Sequence, residues 1–271
     1  MTAPAAHTGL AAILAEVVPV VRATGRYIEA MGASHALNRE QLEIITKSHA
    51  TDFVTQVDRE AERRIVTWLL ERYPEIGVLA EEGSRHNPAA ARTWVLDPLD
   101  GTRNFIQGHP GYSVSLGLVE DGRPILGVVY DIEADDMYTA ARGHGAWLNG
   151  RRLQVAGDPD VSVAMVGVGF PHGSRDGDLN QRRYLRLLTE TAALRQGGAV
   201  ARDLALVARG SLDAFWQPYL SPWDVAAGMV LVEEAGGQVE TLCEGNWLTA
   251  APLGIFAASA SAFAPLRELV R

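Results

Sequence analysis

Two aspartates stand three residues apart in the stretch WVLDPLDGTRNF, which runs from Trp94 to Phe105 and begins with an apolar run. Two ionised carboxylates this close repel each other, which raises the pKa of one of them unless a cation lies between them. Gly101-Thr102 follows at once and predicts a short helical turn, whose N–H groups and positive end favour a phosphate. Asp97 and Asp100 therefore favour a site that combines carboxylates, a hard divalent cation and a phosphate group.

The same residues also have a purely structural interpretation. Asp-Gly is a common turn pair, so Asp97 can simply end a strand while Asp100 begins a turn. Other acidic residues also allow either a structural or a chemical interpretation. Ordinary roles are available to each of them: a solvated loop for Glu81, the first turn of a helix for Asp224, and a helix N-cap for Asp58. No one of these residues decides between structure and chemistry.

The composition limits the class of protein. The 271 residues are 47% hydrophobic, which suffices for a full core in one large domain or two close-packed halves. The formal net charge of −9 argues against nucleic acid or an anionic membrane as a partner. The single cysteine excludes a disulfide framework and fits a cytoplasmic protein. Glu16, Pro19 and Arg22 interrupt the N-terminal apolar stretch, so we expect neither a signal peptide nor a membrane span.

Hydrophobic patterns predict the elements that position the acidic residues. Helical spacing predicts a helix in the first thirty residues and a second helix, capped by Asp58, that ends before Pro74. The polar segment from Lys47 to Asp58 is expected to be a loop. After the aspartates, hydrophobic residues recur at every second position. Tyr112 to Val119 predicts a half-buried strand and Pro124 to Tyr130 its hairpin partner, within an antiparallel meander.

A second half of the chain begins at about Asp158. We expect strands at 161–169, 212–217 and 254–258, and helices at 180–193, 201–209, 223–235 and 263–270. Helices and strands thus come in blocks rather than in strict alternation, which favours layered α+β sheets over a Rossmann fold or a barrel. We treat residues 1–271 as one unit, with an N-terminal half at 1–157 and a C-terminal half at 158–271.

Four segments, in order along the chain, carry a resemblance to a known family. They are Lys47 with DFVTQVD, AEEG at Ala80 to Gly83, WVLDPLDGTRNF, and PWDVAAG at Pro222 to Gly228 followed by EEAGG. These segments resemble the signature segments of the inositol monophosphatase family of magnesium-dependent, lithium-sensitive phosphatases. The resemblance implies a five-layered α-β-α-β-α sandwich, usually homodimeric, that hydrolyses phosphate monoesters.

The resemblance also implies roles for single residues. A first Mg²⁺ would be bound by Glu81, Asp97 and the carbonyl oxygen of Leu99, a second by Asp97, Asp100 and Asp224, and a third, weaker ion by Glu81. Oxygen-only ligands are those that Mg²⁺ prefers. The catalytic residues would be Asp58 and Thr102, which orient or deprotonate a water molecule, together with Glu81. Substrate contacts would come from Lys47, Asp100, Gly101, Thr102, Val200, Gln217 and Asp224.

The substrate is predicted as a small phosphorylated metabolite, inositol 1-phosphate or a similar polyol or sugar phosphate. Gln217 stands where family members that cleave inositol phosphates usually have glutamate, and Ala199 and Val200 also depart from the family pattern. Arg202 is either an exposed helix residue or a contact for a second anionic group. Histidinol phosphate, fructose 1,6-bisphosphate and 3′-phosphoadenosine 5′-phosphate therefore stay open as substrates.

Two other classes of protein fit the sequence less well. A non-catalytic member of the family would be expected to lack a metal ligand, and all the ligands that the resemblance implies are present. A phosphatase of the haloacid dehalogenase type would need a nucleophilic aspartate in an Asp-x-Asp motif near the N-terminus, which the sequence does not have.

Overall fold

The computed structural model describes residues 9–35, 44–46, 53–156, 160–170, 177–243, 245–249 and 253–271. Within them the chain forms a mixed α+β sandwich whose layers follow the order α-β-α-β-α. The predicted fold class is therefore confirmed. Residues 47–52 lie outside the described residues, so the substrate contact of Lys47 and the first part of the predicted loop stay predictions. The rest of that loop prediction was wrong, because Phe53–Thr55 form a strand and a helix begins at Gln56. The division into halves at residue 157 also stays a prediction.

The first layer consists of helices α1 (Leu10–His35) and α2 (Gln56–Arg72). Their apolar faces, including Ile13, Val17 and Ile65, are buried against the first sheet. A short antiparallel pair, β1 (Ile44–Thr46) and β2 (Phe53–Thr55), precedes α2. None of the helices in the described part of the chain is long and apolar enough to cross a membrane.

The predicted N-cap of the second helix was wrong by three residues. Thr55 caps α2, because its hydroxyl accepts a hydrogen bond from the N–H of Val57 at 3.1 Å. Asp58 lies at the third helical position and accepts a hydrogen bond from the N–H of Thr55 at 2.9 Å. Thr55 and Asp58 thus form a capping box, in which the acid lies inside the helix rather than at its end.

The second layer is an eight-stranded sheet in the order β10-β9-β8-β7-β6-β5-β3-β4. All neighbouring pairs are antiparallel except β3 and β5, which run parallel. A six-residue helix, α3 (Thr102–Gln107), follows the central strand. The strands are β3 (Gly77–Ala80), β4 (Arg85–His86), β5 (Arg92–Asp100), β6 (Ser113–Glu120), β7 (Arg123–Asp131), β8 (Asp136–Ala141), β9 (Gly145–Leu148) and β10 (Arg151–Arg152).

Strand β6 is buried on both faces, so the expectation of a half-buried strand was wrong. Ser113 and Ser115, which the alternation placed towards solvent, are fully buried. Gly117 shows the cause: a Cβ at this position would lie 2.8 Å from the Cβ of Ala226 on a helix of the next layer. Small residues on one face of β6 therefore mark close helix packing rather than exposure to water.

The second half of the chain supplies the remaining three layers. Its strands form a five-stranded sheet in the order β12-β11-β13-β15-β14. Two of them, β12 and β14, were not predicted. The elements are β11 (Met165–Val168), α4 (Gly177–Glu190), β12 (Ala193–Arg195), α5 (Val200–Arg209), β13 (Ala214–Leu220), α6 (Pro222–Glu234), β14 (Gly237–Thr241), β15 (Leu253–Ser259) and α7 (Phe263–Leu269).

The strand predicted from Val161 begins only at Met165. Residues Val161–Val163 form a 3₁₀ turn instead, because Asp160 caps it by accepting a hydrogen bond from the N–H of Ser162 at 2.9 Å. Short acceptor side chains of this kind compete with strand pairing for the backbone.

Two hydrophobic cores lie on the two faces of the five-stranded sheet. Helices α5 and α6 fill the space between the two sheets, and α4 and α7 cover the outer face of the second one. Strand β13 shows the alternation between the two faces: Phe215 belongs to the middle core and Trp216 to the outer core. Gln217, the next residue, shares the inner face with Phe215 because successive side chains of a strand point to opposite faces.

Candidate active site

The parallel pairing of β3 and β5 brings Glu81 beside Asp97. Ala80 is paired with Leu96, and the N–H of Glu81 donates to the carbonyl oxygen of Leu96 at 3.1 Å. The side chains of Glu81 and Asp97 share a hydrogen bond. Burial raises the pKa of Asp97 well above its usual range, and the negative charges of Glu81, Asp100 and Asp224 raise it further. The structure therefore brings four predicted site residues into one electrostatic cluster.

A bulge in β5 sets the relation between the two aspartates of the opening motif. The pairing of β5 with β6 shifts register between Asp97 and Asp100. Residues three apart on a regular strand point to opposite faces, and a bulge removes that constraint. Within the bulge, the N–H of Leu99 donates to Oδ1 of Asp97 at 3.0 Å. The strand continues through the bulge to Asp100, so the interpretation in which Asp97 ends the strand was wrong.

Asp100 joins the two halves of the sandwich. Its Oδ1 accepts from the N–H of Val200 at 3.0 Å, and its Oδ2 accepts from the N–H of Ala201 at 2.8 Å. Oδ2 also accepts from the hydroxyl of Ser113 at 3.2 Å. Burial raises the pKa of Asp100 to about 7, although the N–H groups at the start of α5 act in the opposite direction. The carboxylate thus complements the positive end of α5.

A second chain of contacts connects Asp58 with the bulge. The hydroxyl of Thr102 lies 2.8 Å from Oδ1 of Asp58 and 3.0 Å from the carbonyl oxygen of Leu99. A hydroxyl has one proton, so it donates to one of these oxygens at a time. Burial raises the pKa of Asp58, and the hydrogen bonds from Thr55 and Thr102 lower it. The structure thus brings the predicted pair of Asp58 and Thr102 together beside the carboxylate cluster.

Gly101 begins α3 in a conformation that other residues rarely adopt. Its φ is 90°, and a Cβ at this position would lie 2.9 Å from the carbonyl oxygen of Gly111 and 3.1 Å from the Cβ of Ala199. Both the dihedral angle and the close backbone approach require glycine. The N–H groups of Gly101 and Thr102 therefore lie where the bulge turns into α3, next to the aspartates.

Asp224 repeats the arrangement of Asp58. Ser221 precedes α6, Pro222 is its first residue, and the N–H of Ser221 donates to Oδ2 of Asp224 at 2.7 Å. The hydroxyl of Ser115 in β6 contacts the carbonyl oxygen of Trp223 at 3.3 Å, which fixes the start of α6 to the first sheet. Asp224 is thus positioned by its own helix cap and by the sheet that carries Asp97.

The predicted substrate residues have different surroundings. Val200 has its N–H engaged with Asp100, and Gln217 is half-buried on β13. The alternative that Arg202 is an exposed helix residue was wrong. Its side chain is 25% exposed, and its Nε donates to Oδ2 of Asp131, which is 4% exposed, at 2.6 Å. The cause is that α5 packs between the two sheets rather than on the surface.

Three further acidic residues near the cluster were not predicted: Glu62, Asp131 and Asp203. Glu62 on α2 accepts from the N–H of Glu82 at 2.7 Å and from that of Ser84 at 2.9 Å, which fixes the turn after Glu81. Asp203 is buried behind Asp100, and burial followed by the charge of Asp100 raises its pKa to about 7. An acid in the first turn of a helix was the only sequence signal for Asp203, and it is also an ordinary structural one.

The donor set suits a hard divalent cation. It consists of carboxylate and carbonyl oxygens, and the shared hydrogen bond and raised pKa of Asp97 reflect negative charge that a cation would offset. In the arrangement described, Glu81 and Asp97 contact each other, and no three His, Cys, Asp or Glu side chains within the described ranges form a closed ligand set. The chemistry of these residues therefore suits a divalent cation, and their geometry in this structure is set by their contacts with one another.

A comparison with known families agrees with this geometry. The model of the inositol monophosphatase family matches residues 11–270. The chain belongs to this family. It is therefore a phosphoric monoester hydrolase, and members of the family are generally metal-dependent.

Similar proteins include inositol-1-monophosphatases and proteins named Nus factor SuhB. The Nus factor SuhB of Pseudomonas aeruginosa is 45% identical over 209 residues, which cover 74% of this chain and 77% of that protein. The inositol-1-monophosphatase of Mesorhizobium japonicum is 40% identical over 223 residues, with 80% and 84% covered. The solved structure of the extragenic suppressor protein SuhB from Bartonella henselae has a TM-score of 0.88 at 32% identity and covers 96% of this chain and 98% of its own.

Proposed function

We propose that this member of the inositol monophosphatase family hydrolyses a small polyol or sugar phosphate, with inositol 1-phosphate as the best substrate, and that it uses Mg²⁺. The observation that carries the proposal is the cluster in which Asp97 contacts Glu81 and lies within the field of Asp100 and Asp224, next to the chain of contacts from Thr102 to Asp58. Buried acids beside a water-orienting pair suit attack by water on a phosphate ester.

The cluster supplies the oxygen ligands for two or three Mg²⁺ ions. The proposed ligands are the carboxylates of Glu81, Asp97, Asp100 and Asp224 and the carbonyl oxygen of Leu99. When bound, such ions lower the pKa of a water molecule and offset the negative charge that develops on the phosphate. Asp100 is the most constrained of these ligands, because its oxygens also hold the start of α5.

The proposed role of Asp58 and Thr102 is to orient the attacking water. When the hydroxyl of Thr102 donates its hydrogen bond to Asp58, its oxygen can accept a hydrogen bond from the water. The carbonyl oxygen of Leu99 then remains available as a metal ligand. The capping box fixes the other oxygen of Asp58 to Thr55, so that the carboxylate cannot turn away. Glu81 completes the proposed catalytic set through its contact with Asp97.

The proposed phosphate contacts are the N–H groups of Gly101 and Thr102. The lack of a side chain on Gly101 keeps the backbone close to its neighbours and open to an anion. The proposed contacts to the rest of the substrate are Lys47, Val200 and Gln217. Glutamine both donates and accepts hydrogen bonds, which suits the hydroxyl groups of a polyol.

The ion pair of Arg202 with Asp131 favours a substrate with one phosphate over a bisphosphate. A second phosphate group would need an additional cation, and the Nε of Arg202 already donates to a buried carboxylate. The name of the Mesorhizobium relative, inositol-1-monophosphatase, supports the same substrate.

The test is a comparison of initial rates of phosphate release. Inositol 1-phosphate, histidinol phosphate, fructose 1,6-bisphosphate and 3′-phosphoadenosine 5′-phosphate would be supplied to the purified protein with Mg²⁺. We expect the highest kcat/KM for inositol 1-phosphate and no release after chelation of the metal. Phosphate release that continues in the presence of chelator would contradict the proposed use of Mg²⁺. A clear preference for a bisphosphate would contradict the proposed substrate. The proposed homodimer and the cytoplasmic location need separate measurements of mass and localisation.

A further inference from the structure

Glu62 is a buried acid of α2, and both of its oxygens bind backbone N–H groups. The residue is 4% exposed. Its Oε2 accepts from the N–H of Glu82 at 2.7 Å, and its Oε1 accepts from the N–H of Ser84 at 2.9 Å. Burial of a carboxylate is unfavourable unless hydrogen bonds offset it, and bonds to a charged acceptor are the stronger kind. Glu62 is thus bound firmly to the turn that follows Glu81.

The two peptide groups that flank Glu81 are held by different elements. The N–H of Glu81 donates to the carbonyl oxygen of Leu96 on β5 at 3.1 Å, and the next N–H, that of Glu82, donates to Glu62 on α2. A peptide group is planar, so the orientations of the two flanking planes set φ and ψ of the residue between them. These angles set the direction of its side chain. Glu62 therefore fixes one of the two planes that direct Glu81 towards Asp97.

The turn that follows Glu81 is closed by its own hydrogen bonds. The N–H of Ala80 donates to the carbonyl oxygen of Ser84 at 3.1 Å. Nη1 of Arg85 donates to the carbonyl oxygens of Ala80 and Ser84. The turn is thus a closed unit, and Glu62 attaches it to α2 through the N–H groups of two of its residues.

Helix α2 carries Glu62 and Asp58 on one face, because residues four apart on a helix lie one above the other. Asp58 contacts the hydroxyl of Thr102, and Glu62 binds the turn of Glu81. Burial raises the pKa of Asp58, and the charge of Glu81 raises it further, so these two acids lie within each other's field. One helix face thus supports both the water-orienting pair and one end of the carboxylate cluster.

We propose that Glu62 is a positioning residue, which holds Glu81 in the orientation that the first metal ion requires. This inference rests on the proposed metal site, and it adds a residue that acts through Glu81 rather than by contact with the ion. Without the carboxylate of Glu62, the turn keeps its bond to β5 and loses its attachment to α2. The ion would then have to order Glu81 as it binds, which weakens its affinity.

Binding of Mn²⁺ to the metal-free, full-length protein tests the proposal. Mn²⁺ takes the same kinds of oxygen ligand as Mg²⁺, and EPR measures its free concentration. Glu62→Gln keeps the size of the side chain, but its NH₂ group cannot accept a hydrogen bond, so one backbone N–H loses its acceptor. We expect the Kd of the tightest Mn²⁺ site to rise by about tenfold or more. Glu60→Gln is the matched control: Glu60 lies on the same helix and pairs with Arg63 and Arg64, so the Kd should not change.

The Mg²⁺ dependence of the rate separates positioning from a general loss of folded protein. Glu62→Gln should need about tenfold more Mg²⁺ for its half-maximal rate, and its kcat should recover to within about threefold of the original at saturating Mg²⁺. Partial unfolding has a different signature. It lowers kcat and the number of Mn²⁺ sites, but it leaves the Kd of the remaining sites unchanged.

A double variant shows whether Glu62 acts through Glu81. In Glu81→Gln the ligand is already lost, so the addition of Glu62→Gln should not raise the Kd for Mn²⁺ further. A further rise as large as in the unchanged background would overturn the proposal, and so would an equal Kd in Glu62→Gln and the unchanged protein.

Two other outcomes also decide the question. If the unchanged protein bound no Mn²⁺, the proposed metal site would be wrong and the role of Glu62 with it, whereas failure of the positioning role alone leaves Mn²⁺ binding intact in every Glu62 variant. Should Glu62→Gln fail to fold, Glu62→Asp gives the same comparison. It keeps the charge but is shorter by one methylene group, so it too should raise the Kd.

Discussion

The cluster around Asp97 and the pair of Arg202 with Asp131 both hold buried charge inside the sandwich, but only the pair balances it internally. The cluster holds several acidic side chains close together, and Asp97 hydrogen-bonds to another acid. Arg202 instead donates from its Nε to the buried Oδ2 of Asp131 at 2.6 Å. A folded chain normally pairs its buried polar groups internally. The cluster departs from this rule, and its surplus of negative charge suits a cation.

Asp97→Asn should have the largest effect on the cluster. It removes a proposed ligand of two ions, so we expect turnover to fall by about 1000-fold or more. It also removes one of several repelling charges, so the melting temperature of the metal-free protein should stay the same or rise. Phosphate release and thermal unfolding measure the two effects. Asp121→Asn, at an exposed turn, is the matched control. Full activity of Asp97→Asn would contradict the assigned role.

Thr102→Val should lower kcat by about 100-fold, because it removes the hydroxyl that links Asp58 to the bulge while it keeps the shape of the side chain. Thr102→Ser restores the hydroxyl and should retain most of the activity. Steady-state rates on inositol 1-phosphate measure both variants. If Thr102→Val and Thr102→Ser were equally active, the hydroxyl would have no role in the reaction.

The pH dependence of stability should distinguish the cluster from the pair of Arg202 with Asp131. Burial raises the pKa of Asp100 from 3.8 to about 7, and that of Asp203 to about the same value. A carboxyl whose pKa is raised in the folded state stabilises the fold below its unfolded pKa, and this contribution is lost as the pH rises through about 7. We therefore expect the free energy of unfolding of the metal-free protein to be larger at about pH 5.5 than at about pH 8.

Urea unfolding in the presence of chelator measures this difference. Asp100→Asn should reduce it, and Mg²⁺ should stabilise the protein more at the higher pH, where the carboxylates are ionised. Arg202 stays charged over the whole range and contributes no such dependence. A free energy of unfolding that is constant between the two pH values would show that the acids of the cluster are not strained.

Arg202 and Asp131 form an internally balanced pair of charges for comparison with the cluster. Arg202→Gln leaves Asp131 buried without its cation, so we expect a loss of about 1 to 3 kcal/mol in the free energy of unfolding. The ratio of kcat/KM for inositol 1-phosphate to that for fructose 1,6-bisphosphate should not change. Chemical denaturation and the two rates measure these effects. A selective loss of activity on the bisphosphate would show instead that Arg202 contacts a second phosphate group.

Gln217→Glu should have the smallest effect. A carboxylate accepts stronger hydrogen bonds from hydroxyl groups than an amide does, so KM for inositol 1-phosphate should fall by about threefold to tenfold with little change in kcat. Gln217→Leu, which can make no hydrogen bond, is the matched opposite change and should raise KM. Equal KM values for all three side chains would remove Gln217 from the substrate site.

The positions of particular residues show how far the sequence predicts the site. Asp97, Asp100, Thr102 and Asp224 were recognisable because each lies in a short motif at the end of a strand or the start of a helix. Local geometry fixes the positions of such residues. Asp58 differs from its predicted position at the helix cap because it forms a capping box with Thr55. Arg202 had no local signal, because whether a helix residue is exposed depends on the layer into which that helix packs.

The sequence by itself determined the family, the acidic residues of the candidate site and most of the helices, because motifs and hydrophobic spacing act over a few residues. Tertiary structure decided that Asp100 holds the start of α5 a hundred residues away, that Glu62 fixes the turn of Glu81, and that Arg202 pairs with Asp131. These contacts join distant segments, and no local pattern encodes which distant side chain will become a neighbour.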